Sequence, residues 1–193
     1  MEALKERIIK DGKCLGEDVL KVDSFLNHQI DVALVRAIGE EFARIFGGQG
    51  VNKILTIEAS GIPIAYATAA AMGNIPLVFA KKTAPSTMTD GFYSAEVRSF
   101  TKGTVSHVVV SEKYIGPEDK VLLIDDFLAH GEAAGGLLEI CAKAGAECAG
   151  LGAVIEKKYQ GGAERLRAKG LRVESLAVIT SLKDGHIEFE QTR

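Results

Sequence analysis

Val121-Leu122-Leu123-Ile124-Asp125-Asp126-Phe127-Leu128-Ala129-His130-Gly131-Glu132-Ala133-Ala134 is the stretch whose reading decides the fold. Four apolar residues run without interruption, the pattern of a parallel strand buried on both faces. Two carboxylates follow at the expected strand end. A short loop with one glycine comes next, then small residues able to begin a helix. In open α/β sheets, ligands bind beyond the carboxyl ends of the strands. A helix starting there aims unpaired backbone N–H groups at any anion in the crevice. The stretch thus combines hydroxyl acceptors, Asp125 and Asp126, with a phosphate cradle of Ala129, His130, Gly131, Glu132 and Ala133. A sugar phosphate carries both groups.

Taken alone, the two acids read better as solvated residues capping a core strand; the loop and helix start tip the reading the other way. The magnesium-holding strand of a P-loop hydrolase is excluded, because no Gly-x-x-x-x-Gly-Lys-Ser/Thr occurs. A phospho-receiver domain alone would be shorter. A dinucleotide fold places its glycine loop first and its acid about 20 residues later, the reverse of the order here.

The 193 residues suit one domain with a sizeable core. Tryptophan is absent and aromatics make up 6%, so small aliphatic residues must fill a sheet covered by helices. The net charge of −3, with no long basic run, disfavours nucleic-acid binding. Cys14, Cys141 and Cys148 form no CxxC pair. Their odd number argues against a disulfide framework and for a reducing cytosol. No apolar run approaches the roughly 20 residues of a membrane span, and the first seven residues lack a signal-peptide core.

Along the chain, residues 2–10 predict an amphipathic helix with Leu4 and Ile8 on one face and Gly12 at its end. Asp31 is the expected N-cap of a helix to about Ile45, with Leu34, Ile38, Phe42 and Ile45 as its buried stripe. Strands are expected over 53–58, 77–80, 107–111, 120–126, 149–155 and 172–179. The helix after the acids should bury Leu137, Leu138 and Cys141 and end at Gly145, with Gly135 and Gly136 permitting close packing. A further short helix is expected over 161–169, and Asp184-Gly185 predicts a hairpin turn. Ala59-Ser60-Gly61 lies between a strand and a helix, and reads either as a second anion site or as a tight turn. Asn27 by itself reads as a turn or capping residue, and Lys157 with Lys158 as solvated lysines at a strand end. The Thr-, Ser- and Gly-rich text of 83–104 carries little core signal, which in a compact domain points to a functional segment.

The opening stretch resembles the ribose-phosphate and pyrophosphate motif of the type I phosphoribosyltransferases: four hydrophobics, two acids, a hydrophobic pair, then a small-residue loop with glycine. Residues 19–31 (VLKVDSFLNHQID), 154–158 (VIEKK) and 172–177 (RVESLA) are similar to the xanthine-using branch of that family. These matches cover nearly the whole chain.

The resemblance implies the type I phosphoribosyltransferase fold. This is an α/β architecture whose central, mostly parallel sheet is flanked by helices, with a small hood and a flexible β-ribbon lid. A single domain would span 1–193, its hood contributed by roughly 1–30 and the C-terminal segment, its mobile lid about 83–104. The implied reaction transfers the phosphoribosyl group of 5-phospho-α-D-ribose 1-diphosphate (PRPP) to N9 of xanthine, releasing diphosphate. Asp125 and Asp126 would be catalytic, and Ala129, His130, Gly131, Glu132 and Ala133 would bind PRPP. Ala59, Ser60 and Gly61 would face the pyrophosphate, and Leu20, Asn27 and Lys157 would contact xanthine. Magnesium is expected with PRPP, held by substrate oxygens and water and not directly by a protein carboxylate. A homodimer is implied; nucleic-acid and membrane partners are not. Two positions depart from the pattern: His130 and Glu132 stand where relatives carry asparagine and glutamine, and Glu132 adds negative charge beside a phosphate. A hypoxanthine/guanine enzyme and a non-catalytic purine- or PRPP-sensing regulator remain as alternatives. The regulator is disfavoured by the lack of a basic surface signal.

Overall fold

A computed structural model gives the fold and describes residues 1–83, 91–99 and 104–191. Helix α1 (Glu2–Asp11) and a hairpin of β1 (Lys13–Leu15) and β2 (Val19–Lys21) lead through one wide helical turn, Asp23–Asn27, into α2 (Val32–Phe46). Strand β3 (Lys53–Ile57), helix α3 (Gly61–Ala71) and strand β4 (Leu77–Ala80) follow. An antiparallel ribbon of β5 (Phe92–Ser99) and β6 (Thr104–Ser111) precedes β7 (Lys120–Leu128) and α4 (Glu132–Ala144). Strand β8 (Glu147–Lys157), helix α5 (Gly162–Ala168), β9 (Val173–Ser181) and β10 (Glu188–Phe189) complete the described chain.

The main sheet has the order β10-β9-β8-β7-β3-β4. All its neighbours are parallel except β9 with β10, so the predicted α/β class with a mostly parallel sheet is the one observed. Period-2 alternation sorts the two faces. Ile54, Leu122 and Ile124 join α1, α2 and α3 in one core, while Leu55, Val121 and Leu123 join α4, α5 and the ribbon in the other. From β3 the chain crosses through α3 to β4 on one side. From β7 it crosses through α4 to β8 on the other. The strand order therefore reverses between β3 and β7, which is where α/β sheets bind ligands. Their pairing runs only from Lys53↔Val121 to Leu55↔Leu123. Beyond it the two carboxyl ends diverge and open a crevice.

Several elements differ in extent from expectation. Strand β7 continues to Leu128 and β8 spans Glu147–Lys157, because each finds ladder partners further along, such as Leu128↔Glu156 and Lys157↔Ile179. Lys157 therefore ends its strand and does not follow it. The expected 107–111 strand begins at Thr104 because β5 pairs with it throughout. Of the 83–104 segment expected as a mobile lid, Phe92–Ser99 form a ribbon strand paired with β6, while 84–90 and 100–103 fall outside the described residues. Its Val97 packs on α4, where a Cβ at Gly136 would lie 2.6 Å from Val97 Cγ2, whereas Gly135 faces open space. In α4 the buried face is Ala134, Leu137, Ile140, Cys141 and Ala144, with Leu138 only partly buried at its margin. Gly145 caps it in the left-handed region, as expected.

Asp31 caps α2 by accepting from the Leu34 N–H at 3.1 Å. The stripe of α2 is rotated by one position: Val35, Ile38, Phe42 and Phe46 are buried, while Leu34 and Ile45 are partly so. The cause is α3, against which α2 lays Gly39. A Cβ there would fall 2.4 Å from the Ala67 carbonyl carbon and 2.7 Å from the Thr68 nitrogen. Overpacking of this kind costs about 1–3 kcal/mol, so Gly39→Ala should lower the denaturation midpoint with an unchanged slope. A midpoint equal to that of the wild type would show that the two helices part without cost.

Candidate active site

The crevice between β3 and β7 holds a cleft of about 460 Å³. Asp125, Asp126, Phe127, Ala129, His130, Gly131, Glu132 and Ala133 form one wall, and Glu58, Ser60 and Lys82 stand across from it. Ribbon residues Val97, Arg98, Ser106 and Val108 close a third side. Both acids keep only 7% of their surface exposed. They sit at the buried end of a strand, where burial of side chains on both faces leaves little room for water. The Asp126 N–H donates to Asp125 Oδ1 at 2.9 Å and fixes that carboxyl. Burial pushes the Asp125 carboxyl well above the usual carboxylate range, the charge of Asp126 pushes it further, and Lys82 pulls the other way. Taking up a proton is thereby easier for Asp125 than for an ordinary carboxylate.

Beyond Leu128 the chain turns through Gly131, whose φ of 80° lies in the left-handed region that glycine occupies without strain. This turn starts α4, with the Gly135 N–H bonded to the Gly131 carbonyl at 2.8 Å. The first N–H groups of a 13-residue helix are thus presented at the cleft, alongside Glu132 in its first turn. A carboxylate there suits the helix dipole. Across the crevice the Glu58–Ala59 peptide is cis, Ser60 lines the cleft, and Gly61 begins α3 behind it. Ala59 is exposed beside Ser60 and outside the cleft's lining.

The three residues expected to meet a base lie to one side. Asn27 ends the wide turn after β2, is exposed, and brings its Nδ2 to 3.5 Å from Asp126 Oδ2. Lys157 places its ammonium 5.5 Å from the centre of the Phe127 ring and donates to the Asp18 carbonyl. Burial holds the Lys157 ammonium below its ordinary pKa, with the negative charge of Asp18 opposing that shift. Leu20 is only 5% exposed, and its side chain lies in the core with α1 and α2. Its side chain therefore offers almost no surface to a ligand.

The structure thus brings the acids, the 129–133 loop and Ser60 into one cleft, joins Asn27 to it through Asp126, and joins Lys157 to it through Phe127. Lys82, Glu58 and Phe127 line the site but were not picked out as functional from the sequence. The Lys82 N–H donates to Glu58 Oε1 at 2.7 Å, tying the ends of β3 and β4 together. The rule that ligands meet parallel strands at their carboxyl ends would have marked Lys81-Lys82, which directly follows β4.

Residues 21–180 match the model of the phosphoribosyl transferase domain. The chain belongs to that family. It is similar to the xanthine phosphoribosyltransferase of Moorella thermoacetica, 57% identical over 189 residues that cover 98% of this chain and 96% of that protein. The xanthine phosphoribosyltransferase of Clostridium novyi is 56% identical over 190 residues, covering 98% and 100%. Among solved structures, the adenine phosphoribosyltransferase of Rhodothermus marinus superposes with a TM-score of 0.75 at 19% identity, covering 93% of this chain and all of that one. That likeness is one of fold, the type I phosphoribosyltransferase fold. In this family member, no group of three or more His, Cys, Asp or Glu among the described residues could hold a metal ion.

The buried acid has a cost that can be measured. The folded pKa of Asp125 lies above its unfolded value. The folded state therefore binds more protons between the two values, and stability falls as pH rises through that window, starting from about 4. An amide at this position accepts the same Asp126 N–H and does not titrate. Asp125→Asn should therefore raise the melting temperature at pH 7.5, by about 2–4 °C per kcal/mol in a chain of this size. The gain over the wild type should shrink toward pH 4.5. A gain that is absent, or that grows in acid, would show that Asp125 is not held toward its neutral form.

Proposed function

We propose that the protein is a xanthine phosphoribosyltransferase of purine salvage. It transfers the phosphoribosyl group of PRPP to N9 of xanthine in the cytosol, giving xanthosine monophosphate and diphosphate. The observation that carries this reading is the meeting of Asp125 and Asp126 with the start of α4 in one cleft, in a chain so similar to xanthine enzymes. The 5-phosphate takes the N–H groups of residues 129–133, and the ribose hydroxyls take the two carboxyls. That arrangement places C1 of the sugar at the acids. As the bond to diphosphate breaks, positive charge grows on the ring in an oxocarbenium-like transition state. Negative charge held a short distance away favours that state over the neutral ground state. Ser60 and Lys82, across the crevice, face the departing diphosphate.

The base enters between Asn27 and Lys157, over the ring of Phe127. Asn27 presents an amide donor and acceptor to its edge. The Lys157 ammonium exchanges the Asp18 carbonyl for an exocyclic oxygen, which selects oxo- over amino-purines. Magnesium, expected with PRPP, would be held by substrate oxygens and water, and would supply charge neutralisation to the diphosphate. The ribbon, whose Arg98 and Ser106 line the cleft, keeps water from the cationic sugar.

A panel of xanthine, guanine, hypoxanthine, adenine and orotate with PRPP should give the highest kcat/KM with xanthine. Asp126→Asn should lower turnover by about 10²–10³, the scale of one lost transition-state contact, with the fold retained and the melting temperature not lowered. Preference for hypoxanthine or guanine would move the assignment to the neighbouring specificity. Binding without diphosphate release would make the protein a sensor.

The homodimer uses the outer face of α2 and α3. Helix α3 carries no charged residue. Val32 and Tyr66 are 76% and 69% exposed and border an apolar groove of about 770 Å³ with Ile62, Pro63, Ala70 and Leu77. An apolar surface of this kind calls for a partner, and a second copy provides a self-complementary one. Tyr66→Glu should shift sedimentation from dimer to monomer; an unchanged dimer would place the interface elsewhere.

A further inference from the structure

The phosphate loop is gripped from behind by α5, a helix that neither the proposed reaction nor the family motif employs. The Gly162 N–H donates to the Ala129 carbonyl at 3.1 Å. Arg165 Nη2 donates to the next carbonyl, that of His130, at 2.8 Å, and is held in place by the Gln160 carbonyl at 3.1 Å. Two consecutive peptide oxygens are thus taken by one element. In a trans peptide the C=O and N–H point in opposite directions. Turning these two oxygens toward α5 therefore turns the N–H groups of His130 and Gly131 away from it. The approach is too close for any side chain at position 162: a Cβ there would lie 2.3 Å from the Ala129 oxygen and 2.7 Å from the Gly131 nitrogen.

We propose that Arg165 is a positioning residue for PRPP: from outside the cleft, it sets the direction of the loop peptides that bind the 5-phosphate. Its guanidinium also lies at the oxygen end of the His130–Gly131 peptide. Polarisation of that peptide strengthens its N–H as a donor to an anion. The inference rests on the reading that residues 129–133 hold the phosphate, and it concerns binding of PRPP and not the choice of base.

The test is calorimetric binding of PRPP with magnesium, together with steady-state kinetics on xanthine, for Arg165→Ala, Arg165→Lys and the control Lys169→Ala. Arg165→Ala should weaken PRPP binding and raise its KM about tenfold, or 1.4 kcal/mol, with kcat within about twofold. Guanidinium at about 20 mM, far below denaturing concentrations, should restore part of the loss. Arg165→Lys should recover less than half of it, because its ammonium ends one bond short of Nη2, the single nitrogen that meets both carbonyls. Lys169→Ala, on the same helix end, should match the wild type. An Arg165→Ala variant that binds PRPP like the wild type overturns the proposal. So does one whose kcat falls while KM holds, or whose weakness persists with guanidinium and is matched by a lower melting temperature. If the wild type binds PRPP but transfers it to no purine, the catalytic reading fails while this one stands on the binding data.

Discussion

The site exists because two central strands stop pairing before they end. Strands β3 and β7 share a ladder only to Leu55↔Leu123. Strand β3 continues on its other edge to Ile57↔Ala80, and β7 on its other edge to Leu128↔Glu156. Each strand keeps one satisfied edge, so the opening between them does not unravel the sheet. Connections leaving in opposite directions, α3 toward β4 and α4 toward β8, leave no crossover to block it. The acids stand on one side of this gap, Glu58 and Ser60 on the other, and a helix starts on each side.

What could be read in advance follows from this economy. The run Val121–Ile124, the acids and the small-residue turn lie within one local stretch, so propensity and periodicity sufficed for the strand, the acids and the loop. Features set by register across the sheet were not accessible. Phe127 reads as one more apolar residue until its pairing opposite Ile155 brings it under Lys157. Lys82 becomes a cleft residue only because β4 runs parallel to β3 and ends at the same level. Asn27 reaches Asp126 across 99 residues of sequence, and no pattern near either one encodes that meeting. The one-residue rotation of the α2 stripe has the same origin. Local spacing defines an apolar face, but the close approach of α3 at Gly39 decides its centre.

The electrostatics of the gap work against the fold and in favour of the proposed chemistry. A carboxyl with 7% exposure next to another carboxyl would be replaced in any sequence selected for stability alone. Here the backbone N–H of Asp126 fixes Asp125, and Lys82 offers partial compensation from across the crevice. The compensation is incomplete, and this is what a transient cation requires. An acid pair fully neutralised by a resident lysine would have little field left for a sugar ring that becomes positive only at the transition state.

The opposite side of the ligand poses the complementary problem. A phosphate carries its charge throughout the reaction, so its binding groups must be oriented before it arrives, or ordering them consumes the binding energy. The loop residues Ala129, His130, Gly131, Glu132 and Ala133 include no large apolar side chain that could pack to hold the backbone. Their order must come from the side away from the ligand. Helix α5 meets that need with one peptide N–H and one guanidinium, and the bare Cα of Gly162 lets it come close enough to do so. A side chain doing the same work from inside the cleft would occupy the space the phosphate needs. The support can therefore sit only behind the loop, and the donors proposed to meet the phosphate and the groups that orient them come from different elements.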